Sequence, residues 1–314
     1  MISDAPGWQP SAPLQRLNLP WLQDARVEVA ILRLDQIDPL ISGNKWFKLS
    51  EHLTQAATGG AKGLISLGGA HSNHLHALAA AGKRFGFPTV GLLRGHAQQT
   101  PTVLDLQAFG MQLHWLGYAG YRARHAADFW QPWQAQYPEL YPVPEGGGGL
   151  AGALGCARFR QMVDDQLAAL GWDDYHGWWL AAGTGTTVAG LLLAEAGAHA
   201  VYGAMAVPDD HGVAQNIVAV LNQVPGSQVG ALADLPPACV LLDASRGGFA
   251  RTDAMLLDFL ADSEAQSGVA LEPLYTGKAL LTLRDEVQAG RFAPGTRLIF
   301  IHTGGLQGRR AMGL

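Results

Sequence analysis

Trp178-Trp179-Leu180-Ala181-Ala182-Gly183-Thr184-Gly185-Thr186-Thr187-Val188-Ala189-Gly190 is the stretch on which the architecture turns. Residues 178–182 are an unbroken apolar run and read as a buried strand. The glycines then bend the chain, and residues 187–195 resume helical spacing. A strand passing through a glycine turn into a helix is the repeating unit of a parallel sheet. The same alternation recurs along the chain. Residues 27–34, 64–67, 89–93, 112–116, 201–207, 240–243 and 297–302 read as strands. Residues 46–57, 72–85, 101–109, 213–224, 252–263 and 277–288 read as helices, with Ser72 as an N-cap and Pro101 in a first turn. Glu145-Gly146-Gly147-Gly148-Gly149 interrupts this rhythm and is expected to mark a crossing between two α/β units. One long helix is expected after it, over residues 151–170.

The composition narrows the class. Of 314 residues, 48% are hydrophobic and 15% charged, enough apolar material for a substantial core. The formal net charge is −5 with no basic run, which argues against nucleic acid and acidic membranes as partners. Cys156 and Cys239 are the only cysteines, and two thiols this far apart read as reduced core residues. No apolar stretch reaches the roughly 18–20 residues that span a bilayer. Residues 1–15 lack an apolar segment after a basic start. The expected location is the cytoplasm.

Several segments could carry chemistry. Gly183 to Thr187 could let backbone N–H groups converge on one point, with Thr184, Thr186 and Thr187 adding hydroxyls at a helix N-terminus, which suits a phosphate. It is neither a Gly-x-Gly-x-x-Gly fingerprint nor a Gly-Lys-Thr/Ser loop; a tight turn built for sterics is the plainer reading. In Ser42-Gly43-Asn44-Lys45-Trp46-Phe47-Lys48-Leu49, a lysine held before a helix could enter a cleft. Partial burial would lower its pKa and free a neutral amine for a Schiff base; a surface lysine is the alternative. Lys48 is its competitor, read as solvated or close to phosphate. Ser66-Leu67-Gly68-Gly69-Ala70-His71-Ser72-Asn73-His74-Leu75-His76 could present Ser72 and Asn73 to a ligand, while its three histidines raise the alternative of a metal centre. Tyr275-Thr276-Gly277-Lys278 and His302-Thr303-Gly304-Gly305 sit at element ends where side chains could line a pocket.

In this order the five segments resemble the family of 1-aminocyclopropane-1-carboxylate (ACC) deaminase and D-cysteine desulfhydrase, within the tryptophan-synthase-β-like enzymes of pyridoxal 5′-phosphate. The likeness runs from about Ser42 to Gly308. It implies two open, twisted, mainly parallel sheets flanked by helices (PLP fold type II), with the cofactor in the cleft between domains. The large domain would comprise residues 1–47 and 156–314, and the small one residues 48–155. The resemblance makes Lys45 the lysine that carries the cofactor and later moves the substrate α-proton. It puts Asn73 on the pyridoxal ring oxygen, Gly183, Thr184, Gly185, Thr186 and Thr187 on the phosphate, and Ser72 beside the substrate carboxylate. Tyr275 stacks near substrate, while Thr276 and Thr303 approach the ring nitrogen. The implied reaction is β-elimination from a small amino acid to a 2-oxo acid and ammonia, in a homodimer. ACC ring-opening and a non-catalytic cofactor-binding protein are the alternatives.

Departures from the family pattern bear on substrate. ACC deaminases carry glutamate where this chain has Thr276, the residue of desulfhydrase-type members. The family's second tyrosine, from Gly-Pro-Gly-Tyr-Gly, aligns with Phe249 in Arg246-Gly247-Gly248-Phe249-Ala250. His71 replaces a glutamine, Phe47 an arginine, and Arg246 is a new cation that could approach the pocket.

Overall fold

The computed structural model describes residues 2, 7–224, 234–248 and 250–313. The strands are β1 (Leu14–Arg16), β2 (Glu28–Arg33), β3 (Gly63–Gly68), β4 (Thr89–Leu93), β5 (Gln112–Trp115), β6 (Leu140–Pro142), β7 (Gly177–Ala182), β8 (Ala200–Met205), β9 (Cys239–Asp243) and β10 (Arg297–His302). They form two sheets. One has six strands in the order β1-β2-β10-β7-β8-β9, and the other four in the order β5-β4-β3-β6. Every pairing is parallel except β1 with β2. β3, β4 and β7 are buried along their whole length, which is why they read as continuous apolar runs without alternation.

Two strands were not anticipated. β1 has three residues, and its register is set by a distant side chain: Gln166 accepts from the Leu14 N–H at 2.9 Å and donates to the Ala12 carbonyl at 3.0 Å. β6 lies just before the Glu145–Gly149 break and pairs with β3, so its strand character comes from its neighbour. The long helix expected over residues 151–170 is instead two helices, Gly149–Ala157 and Phe159–Asp164, and a 3-10 turn, Leu167–Leu170. Gly171, in the left-handed conformation, closes that turn.

Three helices pack at backbone contact and bring the Lys45 helix and the helix after Gly185 to one side. A Cβ on Gly155 would sit 1.8 Å from the Phe47 carbonyl oxygen, and one on Gly190 would sit 2.3 Å from that of Ala153. The Gly149–Ala157 helix is therefore wedged between Asn44–Thr58 and Thr186–Glu195 with no room for larger residues. Cys156 and Cys239 are both free and buried, as their spacing suggested. Among the described residues no helix is long and apolar enough to cross a membrane.

Candidate active site

The carboxyl ends of β3, β7 and β10 carry the candidate segments, as expected of open parallel sheets. Gly43 has φ +79, and a Cβ there would fall 2.1 Å from the Thr303 carbonyl oxygen. That close approach seats the start of the Asn44–Thr58 helix on the end of β10. The Asn44 N–H donates to the Thr303 carbonyl at 3.2 Å, and its side-chain amide donates to Thr187 Oγ1 at 2.9 Å. The residue before Lys45 thus ties the end of β10 to the glycine loop after β7. Lys45 is half-buried, with its amine 3.2 Å from Asn44 Oδ1. Burial first, and then the charge of Lys48, lower its pKa to about 7, against opposing pulls from Cys156 and Glu272.

The loop from Gly183 runs into the Thr186–Glu195 helix. Thr184 and Thr186 bring their hydroxyls within 2.9 Å of each other. Gly185, at φ +79, packs against Ile217 and the Val213 carbonyl, so no side chain fits there. A Cβ on Gly183 would lie 3.2 Å from the Tyr275 ring, which places that ring directly beside the loop. Burial, with help from Glu272 and Glu145, pushes the Tyr275 phenol pKa upward, keeping it protonated.

The third wall is the start of the Asn73–Phe85 helix. Ser72 is its N-cap and accepts from the Leu75 N–H at 3.2 Å. Asn73 Oδ1 accepts from the Gln307 side chain at 2.8 Å, while its Nδ2 lies beside Gly305. Glu272 borders the same glycine. It is buried, and its carboxyl group accepts from the N–H groups of Leu274 (2.7 Å), Tyr275 (2.9 Å) and Thr276 (2.6 Å), bracing the turn that leads into the Thr276–Gln288 helix. Below Thr303, His302 accepts from the Gly304 N–H at 3.1 Å and donates to the Ala270 carbonyl at 2.8 Å, a neutral ring that anchors the strand end.

A lysine amine near neutrality beside a glycine-rich helix N-terminus is a donor set suited to a phosphorylated aldehyde. Residues 2–304 match the pyridoxal-phosphate dependent enzyme family. The chain belongs to that family. Relatives of this pyridoxal phosphate enzyme include the D-cysteine desulfhydrase of Klebsiella pneumoniae subsp. pneumoniae, 28% identical over 94% of this chain and 92% of the relative. The mitochondrial bifunctional D-cysteine desulfhydrase/1-aminocyclopropane-1-carboxylate deaminase of Arabidopsis thaliana is 27% identical over 94% of this chain and 76% of its own. The crystal structure of an ACC deaminase homologue superposes with a TM-score of 0.79 at 24% identity, covering 99% of this chain and 98% of the other. That likeness supports the fold.

Some of the candidate residues sit in surroundings other than those expected. Thr276, expected at the ring, is fully buried, and its hydroxyl is committed to Glu272: it accepts from the Glu272 N–H at 3.1 Å and lies 3.1 Å from the carboxylate. Glu272 itself was missed, because it lies outside the N-cap position at which a capping signal is read, and its N–H partners are fixed only by the fold of the turn. Lys48 is buried rather than solvated, and burial lowers its pKa. The Arg246 guanidinium pairs with Asp253 at 2.5 Å. Phe249 lies outside the described residues. The alternative metal centre does not assemble. His71 is exposed, His76 meets Asp105 at 3.1 Å, and His74 donates to Ser66, whose hydroxyl continues to the Val143 carbonyl. Among the described residues no group of three metal-ligating side chains forms.

Proposed function

We propose that this pyridoxal phosphate enzyme is a lyase of small amino acids that removes a β-leaving group and releases a 2-oxo acid and ammonia, as a D-cysteine desulfhydrase does. The observation that carries it is the Lys45 amine, brought near neutral pKa and linked through Asn44 to both Thr303 and Thr187. Gly183 to Thr187 would hold the phosphate, with Thr187 pre-oriented by Asn44. Asn73 would face the ring oxygen. Thr303, half-buried at the end of β10, is better placed for the ring nitrogen than Thr276, whose hydroxyl Glu272 holds. A hydroxyl at the ring nitrogen, in place of a carboxylate, favours the neutral ring and argues against ACC opening. The cofactor supplies an electron sink for charge developing at the substrate Cα.

The protein's own groups do the rest. Ser72 and the free N–H groups at the start of the Asn73–Phe85 helix orient the substrate carboxylate. The neutral Lys45 amine takes the Cα proton and later returns it. Tyr275, kept protonated, closes the substrate side against Gly183. With D-cysteine the Cα–H, Cβ–S and Cα–N bonds break, one water is consumed, and pyruvate, ammonia and hydrogen sulfide leave. The proposal includes a small domain of residues 48–155, the cofactor in the cleft between the sheets, and a homodimer.

The test is release of 2-oxo acid and ammonia by the cofactor-loaded protein from D- and L-cysteine, β-chloroalanine, serine and ACC. Pyruvate from D-cysteine or β-chloroalanine, with none of the ACC product, is expected. 2-Oxobutanoate from ACC alone would replace this reading with the deaminase one. No product from any compound would make the chain a cofactor-binding protein without turnover.

A further inference from the structure

Gln307 lies in the Leu306–Met312 3-10 segment, far in sequence from the helix start it touches. That segment is fastened on both sides of the cleft. Arg309 pairs with Glu264 at 2.7 Å, and Arg310 pairs with Asp105. The Gly308 N–H donates to the Gly305 carbonyl at 2.8 Å, so the turn carrying Gln307 follows directly from the glycines at the end of β10. From this fixed turn the Gln307 amide donates to Asn73 Oδ1 at 2.8 Å.

An asparagine amide presents a donor on one side and an acceptor on the other, and its orientation decides which one a ligand meets. Here the oxygen is taken by Gln307. The nitrogen points to the Gly305 side, where a Cβ would lie 2.7 Å from Asn73 Nδ2 and 3.4 Å from Glu272 Cγ. Glycine at position 305, with φ +88, leaves the nitrogen uncovered.

We infer that Gln307 is a positioning residue that locks the Asn73 amide as a donor toward the cofactor's ring oxygen. This rests on the proposed placement of pyridoxal phosphate at Lys45 and Asn73. A donor there holds the ring oxygen as an oxyanion, which keeps the bound cofactor in its visible-absorbing form. An acceptor there holds a neutral phenol, which absorbs in the near ultraviolet.

The test compares wild type, Q307L, Q307E and N73A, with Q307E also placed in the N73A background. Each protein is titrated with pyridoxal phosphate and its absorbance followed against pH, with a thermal melt as a folding check. Gln307→Glu offers only acceptors, so Asn73 turns its nitrogen toward residue 307 and its oxygen toward the cofactor. The visible band is expected to give way to the near-ultraviolet band, with cofactor affinity falling about tenfold, as for loss of one hydrogen bond to a charged group. Gln307→Leu should give a smaller shift. In the N73A background the Gln307 substitution should add nothing. An N73A spectrum that differs from wild type beside an unchanged Q307E spectrum overturns the inference and leaves the site intact. Unchanged N73A, or wild type with no band that depends on Lys45, overturns the inference through the site assignment itself.

Discussion

Lys45 is a weak base by position. Its folded pKa of about 7 lies below the ordinary lysine value because burial penalises the ammonium and Lys48 repels it. Between those two pKa values the unfolded chain binds more protons at this site than the folded one, so stability rises with pH across the window. In cofactor-free protein, urea titrations at pH 7 and pH 9 should show a gain that Lys45→Met reduces. The same site predicts that addition of pyridoxal phosphate accelerates through about pH 7 and then levels off, as the neutral amine accumulates. Lys45→Ala should abolish both the visible band and turnover; retention of either would remove the residue from its role. Glu272 works through hydrogen bonds. Glu272→Ala would leave the Leu274, Tyr275 and Thr276 N–H groups without their acceptor. A loss of about 2–3 kcal/mol in denaturant titration is expected, with Tyr275 released from its place beside Gly183.

At the scale of elements, the site depends on where helices begin. Gly43 and Gly185 both have positive φ; a Cβ on Gly43 would meet the Thr303 carbonyl at 2.1 Å, and one on Gly185 would meet the Ile217 side chain at 2.7 Å. Gly43→Ala combines conformational strain with a collision against the Thr303 carbonyl. It should lower stability by at least about 2 kcal/mol and displace Lys45, so that cofactor binding falls even in the fraction that remains folded. Circular dichroism melts beside a pyridoxal phosphate titration separate the two effects. The small-residue contacts at Gly155 and Gly190 explain how a lysine-bearing helix and a phosphate-type loop, more than a hundred residues apart in the chain, come to share one wall.

At the scale of the molecule, the candidate segments follow strands of two mainly parallel sheets, and the C-terminal turn ties Glu264 and Asp105 together through Arg309 and Arg310. A ligand that touches both sides should order both together. Hydrogen exchange with and without pyridoxal phosphate should slow concurrently at 72–76, 183–187 and 303–305. At a hundredfold excess over its Kd the cofactor should add about 2.7 kcal/mol of stability. Protection confined to one segment would argue against a shared site.

Most of the architecture was legible because its signals are local. Buried parallel strands are apolar runs, glycine turns separate them from helices, and the five segments occur in a telling order. The Ser72 cap and the limits of β4 and β10 were readable from neighbouring residues alone. What the chain could not disclose locally was decided by distant partners. β6 is a strand because β3 lies beside it, and β1 is held by Gln166. Thr276 serves Glu272 because a buried carboxylate needs donors there, and Gln307 meets Asn73 only after the C-terminal turn crosses the cleft. Helix and strand preferences are written within a few residues. The partner of a buried polar group depends on which surfaces packing brings together, and that is settled only when the whole chain has folded.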